Sequence, residues 1–180
     1  SSTVENSYAT GQVTRTSGNA MTFGGLVGWY GGTINNSYYD KTSTGQANAV
    51  GDGTGTVNAA DITIANRYSR NGYSNLGTWS LLAGTTNVYV AKDASNQNQW
   101  VMIEGQTRSF LWSEYSTNIN NLHQLQLMAV DLTKNYTVHH NIDATATNGV
   151  NTSDMWSTAG FSPIGNLSNE FKGKFDGLNH

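Results

Sequence analysis

Apolar side chains in this chain come in short runs broken by Gly, Asn and Ser, and most of the runs lack helical spacing. Near the N-terminus Val4, Asn6 and Tyr8 recur with the period of two of an extended backbone. Gln12–Arg15 and Met21–Gly28 read as short strands. In Gly24-Gly25-Leu26-Val27-Gly28, two apolar side chains sit between positions that tolerate unusual φ, a tight entry to a strand. Gly45, Gly51, Gly53 and Gly55 read as a loop, Ile62–Tyr68 as a helical turn or a strand, and Asn71-Gly72 as a turn. The runs Trp79–Leu82, Val88–Ala91, Trp100–Ile103 and Phe110-Leu111-Trp112 predict strands. Leu122, Leu125, Met128, Ala129 and Leu132 recur at spacings of three and four, which predicts a short helix over 121–132 capped by Asn120 or Asn121. Tyr136–Asp143 again reads as a strand.

One self-match organises the first part. Thr3-Val4-Glu5-Asn6-Ser7-Tyr8 reappears as Thr33-Ile34-Asn35-Asn36-Ser37-Tyr38, an offset of about 30 residues, in the range of solenoids and arrays. Helical repeats of that length need unbroken runs with a 3.6-residue period, and the intervening glycines leave room for none. Three short strands per coil joined by Gly/Asn/Ser turns predict an all-β chain, a parallel β-helix. Val4 over Ile34 would then form an apolar ladder. Asn6 and Asn36 fit either an amide ladder or a pair of turn residues. The helix over 121–132 would cap or flank the solenoid.

Composition narrows the function classes. Hydrophobic residues make up 37% of the 180 positions and charged residues only 12%, about half the usual share. A net charge of −3 and 11% aromatics separate it from disordered chains, which carry high charge and few rings. The absence of Cys removes disulfides, thiolate metal sites and a Cys nucleophile. Nine basic residues against twelve acidic ones, without a basic cluster, argue against nucleic-acid binding. No apolar run has the length of a membrane span. Ser1–Glu5 lacks the features of a signal peptide, and the chain is expected to be an excised piece of a longer protein.

Gly24–Gly28, followed by Gly32-Thr33-Ile34-Asn35-Asn36-Ser37-Tyr38, resembles the GLUG repeat of large bacterial surface proteins. Leu125-Gln126-Leu127-Met128, Asn141-Ile142-Asp143-Ala144, Gly160–Gly165 and Phe175–His180 resemble the start of another block. Together they resemble the filamentous-haemagglutinin-like, high-molecular-weight adhesins of two-partner secretion. The resemblance implies a right-handed parallel β-helix and export through an outer-membrane pore to the cell surface. It also implies attachment to a protein or glycan receptor on a host cell or another bacterium. It divides the chain into the end of one repeat block (1–50), a non-repeating β-rich segment (51–115) and the start of the next block (116–180). Val4, Asn6, Tyr8, Leu26, Val27, Ile34, Asn36 and Tyr38 are its structural repeat positions. It carries no catalytic residues and no cofactor.

Candidate chemistry is sparse. His139 and His140 would point to opposite faces of a strand and cannot share one ion. Glu104, Glu114, Asp143, Asp154 and Asp176 show no clustering in sequence. Asp52-Gly53 and Asp176-Gly177 lack the alternating acids of a calcium loop. Gly24–Gly28 lacks the Lys and the helix of a phosphate loop. Asn35, Asn135, Asn151 and Asn166 start glycosylation triplets that this composition produces by chance. Trp29-Tyr30, between two glycine pairs, is the candidate binding feature, because a turn there exposes at least one ring. The expected function is a non-enzymatic adhesin stalk or binding segment. The alternatives are a carbohydrate-active β-helix enzyme and a purely structural spacer.

Overall fold

The computed structural model describes residues 2–14, 23–149 and 155–180. Arg15, Gly18, Met21, Thr22, Asn151 and Asp154, on which some of the readings above fall, lie outside the described residues. The chain forms two compact units, residues 1–76 and 77–180.

The first unit contains β1 (Thr3–Glu5), β2 (Tyr8–Ala9), β3 (Val27–Tyr30), β4 (Thr33–Tyr39), the helical turn α1 (Lys41–Thr44), β5 (Val50–Gly53) and β6 (Thr56–Asp61). Two 3₁₀ segments follow, Ile64–Asn66 and Arg70–Leu76. β4 is central. β1 and β2 lie along one edge of it and β6 along the other, all parallel. The register partners are Thr3 with Thr33, Val4 with Ile34 and Tyr8 with Tyr38. The self-match in sequence is therefore a strand pairing. β3 and β5 form a separate parallel pair.

Local chemistry explains why the motif recurs. Asn6 and Asn36 both adopt left-handed backbone, with φ of 48° and 47°, a conformation that Asn tolerates better than other side-chain-bearing residues. Both are exposed. The hydroxyl of Ser7 donates to the Glu5 carbonyl and that of Ser37 to the Asn35 carbonyl, each at 2.8 Å. Asn-Ser is thus a kink closed by its own hydroxyl; it separates β1 from β2 in the first copy, while β4 runs through it in the second. β6 has no such kink. Its register against β4 jumps from Ile34–Val57 to Ser37–Ala59, so two residues of β4 oppose one of β6. Thr56-Val57-Asn58-Ala59-Ala60 is a third copy with one residue deleted. The deletion hid it from sequence reading, as the glycines of Val50–Gly53 hid β5.

Ile34 is fully buried, and Tyr30, Tyr38, Tyr39, Ile62, Tyr73 and Leu76 are also buried in this unit. Tyr73 meets the rings of Tyr8 and Tyr38 at 5.5 and 6.0 Å. Gly25 is needed where it stands, because a β-carbon there would collide with the Tyr39 ring. Asp40 joins the sheet to the following segments. Its Oδ1 accepts from the Ser43 amide, capping α1, and from Arg67 Nη2, both at 2.9 Å. Its Oδ2 lies 2.6 Å from Arg67 Nε, with both side chains buried.

The second unit begins with a four-stranded antiparallel sheet in the order β10-β9-β8-β7: β7 (Thr78–Leu81), β8 (Val88–Lys92), β9 (Asn98–Ile103) and β10 (Phe110–Leu111). A 3₁₀ turn, Trp112–Glu114, leads to β11 (Asn118–Ile119), α2 (Leu122–Gln126) and a 3₁₀ continuation, Leu127–Val130. β12 (Tyr136–Val138) and β13 (Phe175–Asp176) complete a small parallel sheet in the order β11-β12-β13. Asn121 caps α2 by accepting from the Gln124 amide. The helix is shorter than its 121–132 spacing predicts, because its last turn tightens to 3₁₀ geometry. The strand read over Tyr136–Asp143 ends at Val138.

Val88, Val90, Val101, Ile103, Phe110, Leu122, Leu127, Val130 and Trp156 form the main core of this unit. Gln126 is buried with both ends of its amide bonded. Its Oε1 accepts from Trp156 Nε1 and from the Ser162 amide, and its Nε2 donates to the Ser162 carbonyl, each at 2.9 Å.

The chain is not a parallel β-helix, right-handed or otherwise. Its strands sit in several small separate sheets, parallel and antiparallel, with a few short helices, and they close no coil. The reason lies in the connections. β7, β8 and β9 are joined by residues 82–87 and 93–97, which allow a reversal but not the dozen or more residues of a parallel crossover. Among the described residues no helix is long and apolar enough to cross a membrane.

Two buried polar contacts give testable stabilities. Arg67→Ala leaves Asp40 charged and buried, and should cost the first unit about 3–5 kcal/mol in urea unfolding. Gln126→Leu strands the Trp156 N–H and both Ser162 backbone groups, at about 1–3 kcal/mol for each buried group left unpaired. A destabilisation of at least about 2 kcal/mol, followed by Trp fluorescence, is expected.

Candidate functional site: an aromatic cleft in the second unit

The site starts from a four-residue stretch, Trp112-Ser113-Glu114-Tyr115. Side chains three apart eclipse in a 3₁₀ turn, so Trp112 and Tyr115 stand side by side, with ring centroids 6.0 Å apart and planes inclined by 35°. Glu114 holds the turn in place. Its Oε1 accepts from the Leu111 amide at 3.0 Å, and its Oε2 lies 2.6 Å from His123 Nδ1 at the start of α2. The His123 ring is itself wedged edge-on against Phe110 and Trp156. The bond to His123 holds the Glu114 carboxyl below its ordinary range. Partial burial opposes that shift, while the Leu111 amide and the charge of His123 reinforce it.

Tyr115 is fixed from the other side. Its hydroxyl lies 3.1 Å from that of Tyr136, which donates to the Asp131 carbonyl at 2.7 Å. Burial raises the pKa of both phenols above the usual value, so both are neutral. The two rings form one wall of a cleft of about 360 Å³, whose other walls are the β7–β8 connection, with Leu82 and Thr85, and the segment Val130–Thr133. Asp131 supplies the single carboxylate of the lining. The Thr133 hydroxyl, which donates to it at 2.7 Å, is the main cause of its lowered pKa, with the Thr133 amide and Lys134 acting in the same direction against burial. The Thr85 hydroxyl donates inward to the Leu82 carbonyl, also at 2.7 Å. Both threonine hydroxyls donate within the protein and keep lone pairs, so they and the Asp131 carboxylate offer hydrogen-bond acceptors.

A second depression of about 390 Å³ is lined by Leu125, Met128, Phe161, Ile164, Phe171 and Phe175. Its side chains carry no polar group to orient a ligand, so it is the weaker candidate.

The residues singled out from sequence fall elsewhere. Trp29 and Tyr30 lie on strand β3 rather than in a turn, and alternate. Trp29 is 62% exposed, while Tyr30 is buried, its hydroxyl within 2.8 Å of the Ser2 carbonyl and 2.9 Å of that of Thr33. Val4, Leu26 and Val27 are half-buried. His139 and His140 are both exposed just beyond β12. Asp52 accepts from the Gly53 amide, Asp143 from Thr145, and Asp176 from the Leu178 amide and the Lys174 ammonium. Asn35, Asn135 and Asn166 each hold hydrogen bonds through their amides. Among the described residues no three His, Asp or Glu side chains converge as a metal site would require.

Sequence reading missed the cleft. The available signal was the three-residue spacing of Trp112 and Tyr115; Asp131 lies beyond a helix and gave none. The chain matches no protein-family model, no curated protein and no solved structure.

Glu114 makes the turn pH-sensitive. A carboxyl whose pKa is lowered on folding stabilises the fold above its unfolded value, about 4.3. That contribution is lost as the pH falls through the lower folded value. Because the pair is partly exposed, its worth is no more than about 1 kcal/mol. Glu114→Gln should flatten the dependence of unfolding free energy on pH below about 4.3 and leave the slope above it unchanged.

Proposed function

We propose that this chain is a non-enzymatic binding segment of a bacterial surface adhesin. It lies outside the cell, reaches that position through an outer-membrane pore, and contacts a receptor on a host cell or another bacterium. The observation that carries the reading is the Trp112–Tyr115 cleft. Two rings are held rigidly by Glu114 and Tyr136 at the mouth of a concave, mostly apolar surface with a few fixed acceptors. That is the composition of a recognition site. Rigid aromatic side chains give large contact area at low entropic cost.

Catalysis is the weaker reading for the same surface. Glycoside hydrolysis takes a pair of carboxyl groups across the scissile bond. The cleft lining has one, Asp131, and its lowered pKa keeps it from serving as a general acid near neutrality. The low charge of the chain, its lack of Cys, and the likeness of Gly24–Gly28 and Gly32–Tyr38 to adhesin repeats support an exported surface protein.

Attachment of the labelled chain to epithelial and bacterial cells, read by flow cytometry, tests the proposal. Trp112→Ala should weaken binding at least about tenfold while the protein keeps its far-UV circular dichroism. Loss of binding in Trp29→Ala but not in Trp112→Ala would move the contact to β3. No attachment to any cell type by the unaltered chain would remove the adhesin role.

A further inference from the structure

We infer that the Trp112–Tyr115 cleft takes a neutral glycan, bound by stacking of a sugar ring on the aromatic wall and by sugar hydroxyls donating to Asp131, Thr85 and Thr133. This rests on the binding role proposed above and names its ligand class.

Three features of the cleft select that chemistry. An aromatic face is the negative side of the ring quadrupole. A pyranose presents a face of slightly positive C–H groups, and the inclined pair Trp112 and Tyr115 offers two such seats 6.0 Å apart. The side-chain polar groups offer lone pairs, since the Thr85 hydroxyl proton goes to the Leu82 carbonyl and that of Thr133 to the Asp131 carboxylate. Their natural complement is a ligand dense in hydroxyl donors, and a phosphate, sulfate or carboxylate brings acceptors only. The charge acts the same way. Asp131 is an anion at the cleft wall, and the chain carries a net −3, so sialylated or sulfated sugars meet repulsion there. Lys134 lies close enough to Asp131 to lower its pKa, but it is outside the lining and lends the cleft no cationic seat.

The test is a printed array of neutral, sialylated and sulfated oligosaccharides probed with the full chain. It is followed by titration of the ¹⁵N-labelled protein with a neutral oligosaccharide from the array. Neutral structures should bind in preference to acidic ones, and the Trp112 indole N–H and the Asp131 and Thr133 amides should shift first. Trp112→Leu should weaken binding at least about tenfold, and Asp131→Asn should weaken it less while narrowing the discrimination against acidic sugars. The spectra of the unaltered protein locate the site even if Trp112→Leu fails to fold. Binding to sulfated or sialylated sugars alone, or shifts confined to residues outside the cleft, would overturn the inference. Cell attachment that depends on Trp112 but survives periodate oxidation of the cell surface would also overturn it while leaving the adhesin role intact. Glycan binding without attachment to any cell would do the reverse.

Discussion

Most of the described strands are short, so each relies on its neighbours to satisfy backbone groups, and the length of chain between strands decides which neighbours it can reach. Residues 6–32 and 40–55 are long enough to bring the backbone round in the same direction, and β1, β4 and β6 pair in parallel. Residues 82–87 and 93–97 permit only reversal, and β7, β8 and β9 pair antiparallel. In the last part of the chain the spans are long again, and β11, β12 and β13 return to parallel pairing. The mixture of small sheets follows from this one constraint.

Small sheets bury little, and a chain with 37% apolar residues cannot compensate by core size alone. Each unit adds a buried polar contact at the point where irregular chain meets regular structure. In the first, Asp40 serves both α1 and Arg67, so a single buried carboxylate ties the end of β4 to the segment after β6. In the second, Gln126 does the same for α2 and the stretch from Trp156 to Ser162. Both join distant segments through several polar bonds at once; half-made, either would be worse than an apolar contact.

The cleft depends on the same kind of support. Trp112 and Tyr115 are not free rings on a loop. Glu114 closes their turn onto Leu111 and His123, and Tyr136 holds the Tyr115 hydroxyl from beneath. Rotation of either ring would break a hydrogen bond or leave the core, so the cleft keeps its shape without a ligand, and little ordering cost remains when one binds.

Local chemistry was legible in the chain by itself. The copies at Thr3–Tyr8 and Thr33–Tyr38, the apolar runs of β7 to β10, and the Asn-capped helix at Leu122 depend on nearest neighbours: alternation, left-handed tolerance of Asn, a side-chain cap. The third copy at Thr56 escaped notice because one missing residue shifts every later position, although backbone pairing absorbs the shift in a bulge. The β-helix expected from the repeat failed because a local match at one end carries no information about connection lengths at the other. Trp29 and Tyr30 were visible as a pair, but only packing decided that one ring would face solvent and the other the interior. Asp40 with Arg67, Gln126 with Trp156, and Trp112 with Asp131 belonged wholly to the tertiary structure. Such partners lie far apart along the chain, and their energy comes from burial and geometry that no stretch of sequence possesses alone.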